Sequence, residues 1–179
     1  MAVRRLLVWC LGLATAAAGY SQTFSIVDLQ VKGNQRFSAA SVVEGSGLKR
    51  GGRVASKDVE AAAKRLAETG MFAEVDYRYD RKTVNRISGY VVTWLVEEAP
   101  IRASVRLEFP GIDEEDLWRD LTGANGLVSR QIPANALVVS FLQRNLEAAL
   151  RKRGRTEPIT YRNEANLTSG SYVVVFRPQ

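Results

Sequence analysis

Ile26-Val27-Asp28-Leu29-Gln30-Val31-Lys32-Gly33-Asn34, answered further along by Val92-Thr93-Trp94-Leu95-Val96-Glu97-Glu98-Ala99-Pro100, decides the fold. In the first segment Val27, Leu29 and Val31 alternate with Asp28, Gln30 and Lys32, the period of two that marks a strand with one buried face. With Phe24 at its start, the strand is expected over 24–32, and Gly33-Asn34 closes it with a turn. In the second segment Val92, Trp94 and Val96 alternate in the same way over an expected strand 89–98, and Pro100 stops it.

Between these strands the sequence changes period. Ser38 is a natural helix cap, with Phe37 before it placed to staple onto Val42, and the short helix is expected to end near Gly45-Ser46-Gly47. The basic, glycine-rich stretch Lys49-Arg50-Gly51-Gly52-Arg53 reads as a solvated loop; no Lys-Ser/Thr follows its glycines, so it is not a phosphate-cradling P-loop. From about Ser56 the residues Val59, Ala62, Ala63 and Leu66 form a helical stripe, ended at Thr69-Gly70. Val75, Tyr77 and Tyr79 then alternate with Glu74, Asp76 and Arg78 as a strand, and Asp80 to Arg86 reads as a polar loop.

The order strand, helix, helix, strand, strand recurs from Ile101. Val105, Leu107 and Phe109 alternate, Pro110-Gly111 ends the strand, and Asp113-Glu114-Glu115-Asp116 opens a short helix running to about Thr122-Gly123. After a loop over 124–131, Pro133 is expected at the first position of a long helix carrying Leu137, Val138, Phe141, Leu142, Leu146, Ala149 and Leu150 on its apolar face. Arg151-Lys152-Arg153-Gly154 terminate that helix, and two strands are expected over 155–162 and 171–177. The expected fold class is α+β: two tandem β-α-α-β-β domains, each with two helices packed on a three-stranded mixed sheet.

The 179 residues carry no histidine and one cysteine, Cys10, so an intrachain disulfide is excluded and the usual general base and metal ligand are missing. Met1 to Arg5, the apolar run Leu6 to Leu13 and the small residues up to Gly19 are the three parts of a secretory signal peptide. Its expected extent is 1–21, followed by domains over 22–100 and 101–179, in an exported, periplasmic chain associated with the outer membrane. Removing that segment takes Arg4, Arg5 and Cys10 and lowers the net charge from +6 to +4. The remaining charge lies in loops and helix ends and forms no nucleic-acid face.

The first unit resembles a POTRA (polypeptide-transport-associated) domain of the kind found in BamA/TamA-type outer-membrane assembly proteins. The matching residues are Ile26 to Asn34, Arg36-Phe37-Ser38, Gly47-Leu48, the helix from Asp58 to Leu66, Thr69 to Val75, and the ending Val96, Glu98, Pro100. Gly33, Asn34, Gly47, Leu48, Gly70, Phe72, Val96, Glu98 and Pro100 are therefore the family-motif positions. The second unit shares the element order but lacks the Thr-Gly-Phe-like junction and the Val-x-Glu-x-Pro ending. Proteins of this family continue into a membrane β-barrel, for which no strands are left before Gln179, so the barrel's insertase activity is not expected.

The resemblance implies that the first strand and the strand Val75–Tyr79 form the two sheet edges. Val75, Asp76, Tyr77, Arg78 and Tyr79 are thus the candidate binding edge, able to accept an extended chain through main-chain hydrogen bonds. Val75, Tyr77 and Tyr79 also read as core facing the helices; the two roles are compatible, because edge pairing uses the backbone. The expected partners are an outer-membrane β-barrel protein or assembly lipoproteins, and unfolded outer-membrane polypeptides, with no nucleic acid and no small-molecule substrate. No catalytic, cofactor or metal residue is expected: four consecutive acids from Asp113 point round a helix, and Asn166-Leu167-Thr168 is an incidental glycosylation match. Trp94 and Trp118 read as core. The competing class is an inner-membrane-anchored POTRA scaffold of the cell-division type that retains the N-terminal apolar run.

Overall fold

The computed structural model describes residues 23–166 and 171–179. The expected signal peptide 1–21 and residues Leu167 and Thr168 of the glycosylation match lie outside the described residues. The first unit runs β1 (Thr23–Lys32), α1 (Ala39–Ser46), β2 (Arg53–Ala55), α2 (Ser56–Ala67), β3 (Phe72–Val84) and β4 (Ile87–Glu98). The second runs β5 (Ala103–Leu107), α3 (Glu114–Ala124), β6 (Gln131–Ile132), α4 (Ala136–Lys152), β7 (Ile159–Asn166) and β8 (Ser171–Pro178). The fold is α+β with two tandem units of two helices on a mixed sheet, as expected, but each sheet has four strands, ordered β2-β1-β4-β3 and β6-β5-β8-β7. The central pair of each sheet is parallel and the outer pairs antiparallel.

The extra strand corrects two expectations. Gly51, at φ +81, turns the basic loop back on β1, so that Gly51 N–H donates to the Ile26 carbonyl (2.7 Å) and Ile26 N–H to that of Gly52 (2.9 Å). Arg53–Ala55 then pairs with Thr23–Ser25, burying Val54 and Ala55. The Lys49–Arg53 stretch is therefore partly structural, and Arg50 pairs with Asp28 on β1. β2 and the loop bonds cover the outer side of β1 only as far as Ile26, and from Val27 to Lys32 that side has no strand partner among the described residues, so β1 is an edge over that part only.

The core lies between helices and sheet. Ser38 caps α1, its Oγ accepting from Ser41 N–H at 3.0 Å, and Gly47 closes the helix at φ +72. Val59, Ala62, Leu66, Val92, Trp94 and Val96 are buried, as their periodicity required, and Phe37 and Val42, which flank the Ser38 cap, are buried as well. A bulge at Val27 shifts the register of β1, and Ile26 takes the fully buried position that strict alternation gave to Val27. In the second unit α4 starts after Asn135, whose Oδ1 accepts from Val138 N–H at 2.9 Å; a side-chain cap two residues beyond Pro133 sets the start, and Pro133 stands outside the helix. Leu137 is exposed on the flank of α4 rather than in its core stripe.

Candidate functional site

β3 is the edge expected from the sequence, and it is longer than expected. It continues through Asp80–Val84 and turns at Asn85-Arg86, both with positive φ (49° and 66°), straight into β4, with Val84 opposite Ile87. The stretch 80–86 is thus strand and two-residue hairpin turn, not a loop. Beyond the cover of α2 both faces of this hairpin meet water, so charged residues occupy strand positions there. β3 bonds only to β4 and leaves its other edge without a strand partner among the described residues.

Val75, Tyr77 and Tyr79 face the helix layer, opposite Val96, Trp94 and Val92 of β4. Val75 and Tyr77 are half-buried and Tyr79 is 39% exposed, so the core reading holds only in part. Tyr77 meets Trp94 edge-on (6.1 Å between ring centroids), while Tyr79 stacks on Phe24 (5.2 Å) and lies edge-on to Tyr90 (5.9 Å). Burial, helped by the negative charges of Glu60 and Asp76, pushes the Tyr77 hydroxyl above the usual tyrosine range. Asp76 and Arg78 point to the opposite, solvent face, where Asp76 lies opposite Leu95 and Arg78 opposite Thr93. The five candidate residues therefore form one edge with an aromatic face and a charged face.

The family-motif residues gather instead into structural joints. Glu98, at the end of β4, has a side chain only 6% exposed and holds the β1–α1 loop. Its carboxylate accepts from the backbone N–H groups of Gln35 (2.7 Å), Arg36 (2.9 Å) and Phe37 (3.1 Å), and from Arg36 Nε at 2.7 Å. Burial raises the Glu98 carboxyl, but these donors together outweigh it and hold it below the usual glutamate range. Asn34 ties the same loop by donating to the Phe37 carbonyl (2.9 Å), and Gly33, at φ +88, lies so close to β4 that a Cβ there would sit 2.1 Å from the Val96 carbonyl oxygen. Gly47 and Leu48 end α1, where the Arg65 guanidinium donates to the Ser46 carbonyl (2.6 Å). Phe72 packs on Phe37 with centroids 5.7 Å apart, and Pro100 is exposed beyond β4.

Gly70 meets the second unit. Asn135 Nδ2 donates to its carbonyl at 2.9 Å, so one side chain both caps α4 and joins the units. Gly45 packs against Leu127 nearby, and Gly126 against Ser41.

The sequence offered no signal for a further feature, an apolar groove of about 340 Å³ in the second unit. It runs between β7, β8 and the start of α4, lined by Ile132, Pro133, Val139, Tyr161, Tyr172 and Val174. Tyr161 and Tyr172 are 46% and 51% exposed at its mouth. The groove is assembled from five separate elements, β5, β6, α4, β7 and β8, and no single segment shows it. The acidic run is dispersed as expected: Asp113 caps α3, Glu114 accepts from Trp118 Nε1, Glu115 pairs with Arg130 and Asp116 with Arg119. Among the described residues no group of three His, Cys, Asp or Glu side chains could hold a metal ion, and no helix is long and apolar enough to cross a membrane. Trp94 and Trp118 are both buried, and Trp94 Nε1 has no hydrogen-bond partner among the described residues.

No family model matches the chain and no curated protein matches it. Similar solved structures include POTRA domains 1–2 of Omp85 from Anabaena, at 13% identity over 88% of this chain and 95% of that one, with a TM-score of 0.41. The N-terminal domain of Omp85 from Thermosynechococcus elongatus matches at 15% identity over 87% of this chain and 62% of that one, with a TM-score of 0.41. POTRA domains 3–5 of BamA from Haemophilus influenzae match at 14% identity over 89% and 67%, with a TM-score of 0.38. The chain thus spans less than two thirds of the Thermosynechococcus domain.

Proposed function

We propose that the chain is a non-enzymatic polypeptide-binding module that acts in the periplasm in outer-membrane protein assembly or translocation. In this reading residues 1–21 are removed as a secretory signal, and residues 22–100 and 101–179 are the two POTRA domains. The single observation that carries it is the outer edge of β3, unpaired among the described residues, which presents a row of main-chain donors and acceptors beside a tyrosine face. An extended polypeptide adding to Val75–Tyr79 takes its affinity from backbone hydrogen bonds and therefore tolerates varied sequence. Its inward side chains meet Tyr77 and Tyr79, which favours apolar residues at alternate positions. The partners are unfolded outer-membrane polypeptides together with a β-barrel protein or assembly lipoproteins.

Affinity capture from detergent-solubilised envelopes, with the chain as bait, tests the partners. Recovery of a barrel protein or assembly lipoproteins is expected, and recovery of neither contradicts the assignment.

A further inference from the structure

The open edge of β3 carries an ordered charge pattern. On the face away from the helices stand Glu74, Asp76, Arg78, Asp80 and Lys82; on the helix face stand Val75, Tyr77, Tyr79 and Arg81. We propose that this edge pairs with the same edge of a second copy of the chain, antiparallel and centred on Tyr79.

Identical antiparallel strands can meet only in registers symmetric about one position, and every residue must stay on its own face of the joined sheet. With Tyr79 opposite Tyr79 of the second copy, Asp76 faces Lys82, Arg78 faces Asp80, Tyr77 faces Arg81 and Val75 faces Thr83. The twofold repeats each pair, so from Asp76 to Lys82 opposite charges face each other, Glu74 falls opposite Val84, and each Tyr77 ring is offered a guanidinium. The neighbouring registers keep some opposite-charge pairs, such as Asp76–Arg78 when centred on Tyr77 or Asp80–Lys82 when centred on Arg81, but each adds a like-charge contact. Centring on Arg78 or Asp80 sets that residue against its own copy, and adds an Asp76–Asp80 or an Arg78–Lys82 clash. Centring on Tyr77 opposes Glu74 to Asp80, and centring on Arg81 opposes it to itself. Charges that discourage indiscriminate pairing of an exposed edge here select one partner and one register. The product joins two four-stranded sheets into one continuous sheet. The dimer stands on the charge pattern and does not depend on the peptide reading; the two occupants exclude each other on the same edge.

Disulfide trapping tests the register in the full chain carrying Cys10→Ser, which removes its one cysteine. At the twofold, opposed Cα atoms lie about 4.5–5.5 Å apart, within the reach of a disulfide. Tyr79→Cys should therefore give a covalent dimer under mild oxidation. Glu74→Cys should give no covalent dimer, because ten strand steps separate the two cysteines by about 33 Å. No dimer from Tyr79→Cys, or equal dimer from both, overturns the proposal. Sedimentation of charge variants at these exposed positions gives a second readout. Arg78→Glu and Asp80→Arg should each weaken self-association by about tenfold or more, and the double variant, which restores opposite charges, should recover it. Single variants that self-associate like the parent, or a double variant that does not recover, also overturn it.

Discussion

Replacing Glu98 tests how the end of β4 holds the loop that starts α1. Its carboxylate takes three backbone N–H groups and one guanidinium N–H, all between 2.7 and 3.1 Å, with the side chain 6% exposed. Hydrogen bonds to a charged group contribute about 1.5–3 kcal/mol each, and a buried amide left without a partner costs about 1–3 kcal/mol. Gln35 and Arg36 are exposed, so water replaces the carboxylate at their amides, whereas Phe37 is 7% exposed and its amide is stranded. Glu98→Ala should therefore cost about 3–5 kcal/mol. Glu98→Gln keeps one oxygen for the three amides but turns an N–H toward Arg36 Nε, and should cost about 2 kcal/mol.

The pH dependence follows in sign. The folded-state carboxyl lies below its usual range, so the charged form is the one the fold favours. The stabilisation is present above the unfolded-state value of about 4.3 and is lost as pH falls through the lower folded-state value. The gap between the parent and Glu98→Gln should narrow from about pH 7 to about pH 3. Urea unfolding followed by circular dichroism measures both quantities. A Glu98→Ala cost under about 0.5 kcal/mol, or a Glu98→Gln gap that does not change with pH, refutes the reasoning.

Other substitutions probe the joint and the hairpin. Gly70→Ala meets a positive φ and Cβ contacts of 2.5 Å to Asn135 Oδ1 and Val138 N, and should cost about 2–4 kcal/mol in urea unfolding. Gly154→Ala shares the positive φ but has open space around it, so about 1–2 kcal/mol is expected from the same measurement. Asn135→Ala removes both the α4 cap and the bond to Gly70, with an expected loss of about 1–3 kcal/mol and faster amide exchange at the first turn of α4. Arg86→Gly relieves a side-chain-bearing residue held at φ 66° in the hairpin turn and should raise the unfolding midpoint by about 0.5–1 kcal/mol equivalent.

Much of the architecture was written in local pattern. Ser38 and Gly47 bracket α1 because a hydroxyl cap and a left-handed glycine are local chemistry, and Val92, Trp94 and Val96 are buried because alternation needs only one covered face. The parts that escaped depend on distant partners. Arg53–Ala55 is too short for any period, and becomes a strand only because Gly51-Gly52 turn it onto β1. Asp80–Val84 shows no apolar alternation because no helix covers it, yet its pairing with β4 holds it extended. Glu98 stood out as a motif residue, but its partners lie 61–63 positions earlier, and only the fold reveals that it clamps a loop. The edge of β3 was legible from Val75–Tyr79; the self-complementary register needed the full strand to Val84.

Amide hydrogen exchange on β3 tests the edge most directly, with the chain dilute enough to be monomeric and an unfolded outer-membrane polypeptide added. Without it, the outward-facing amides within Val75–Tyr79 should exchange quickly, while those bonded to β4 are protected. With it, the outward-facing amides should become protected at alternate positions, the pattern of an added strand. Protection that appears only elsewhere, for example around Tyr161 and Tyr172, or no change at all on β3, would contradict binding at this edge.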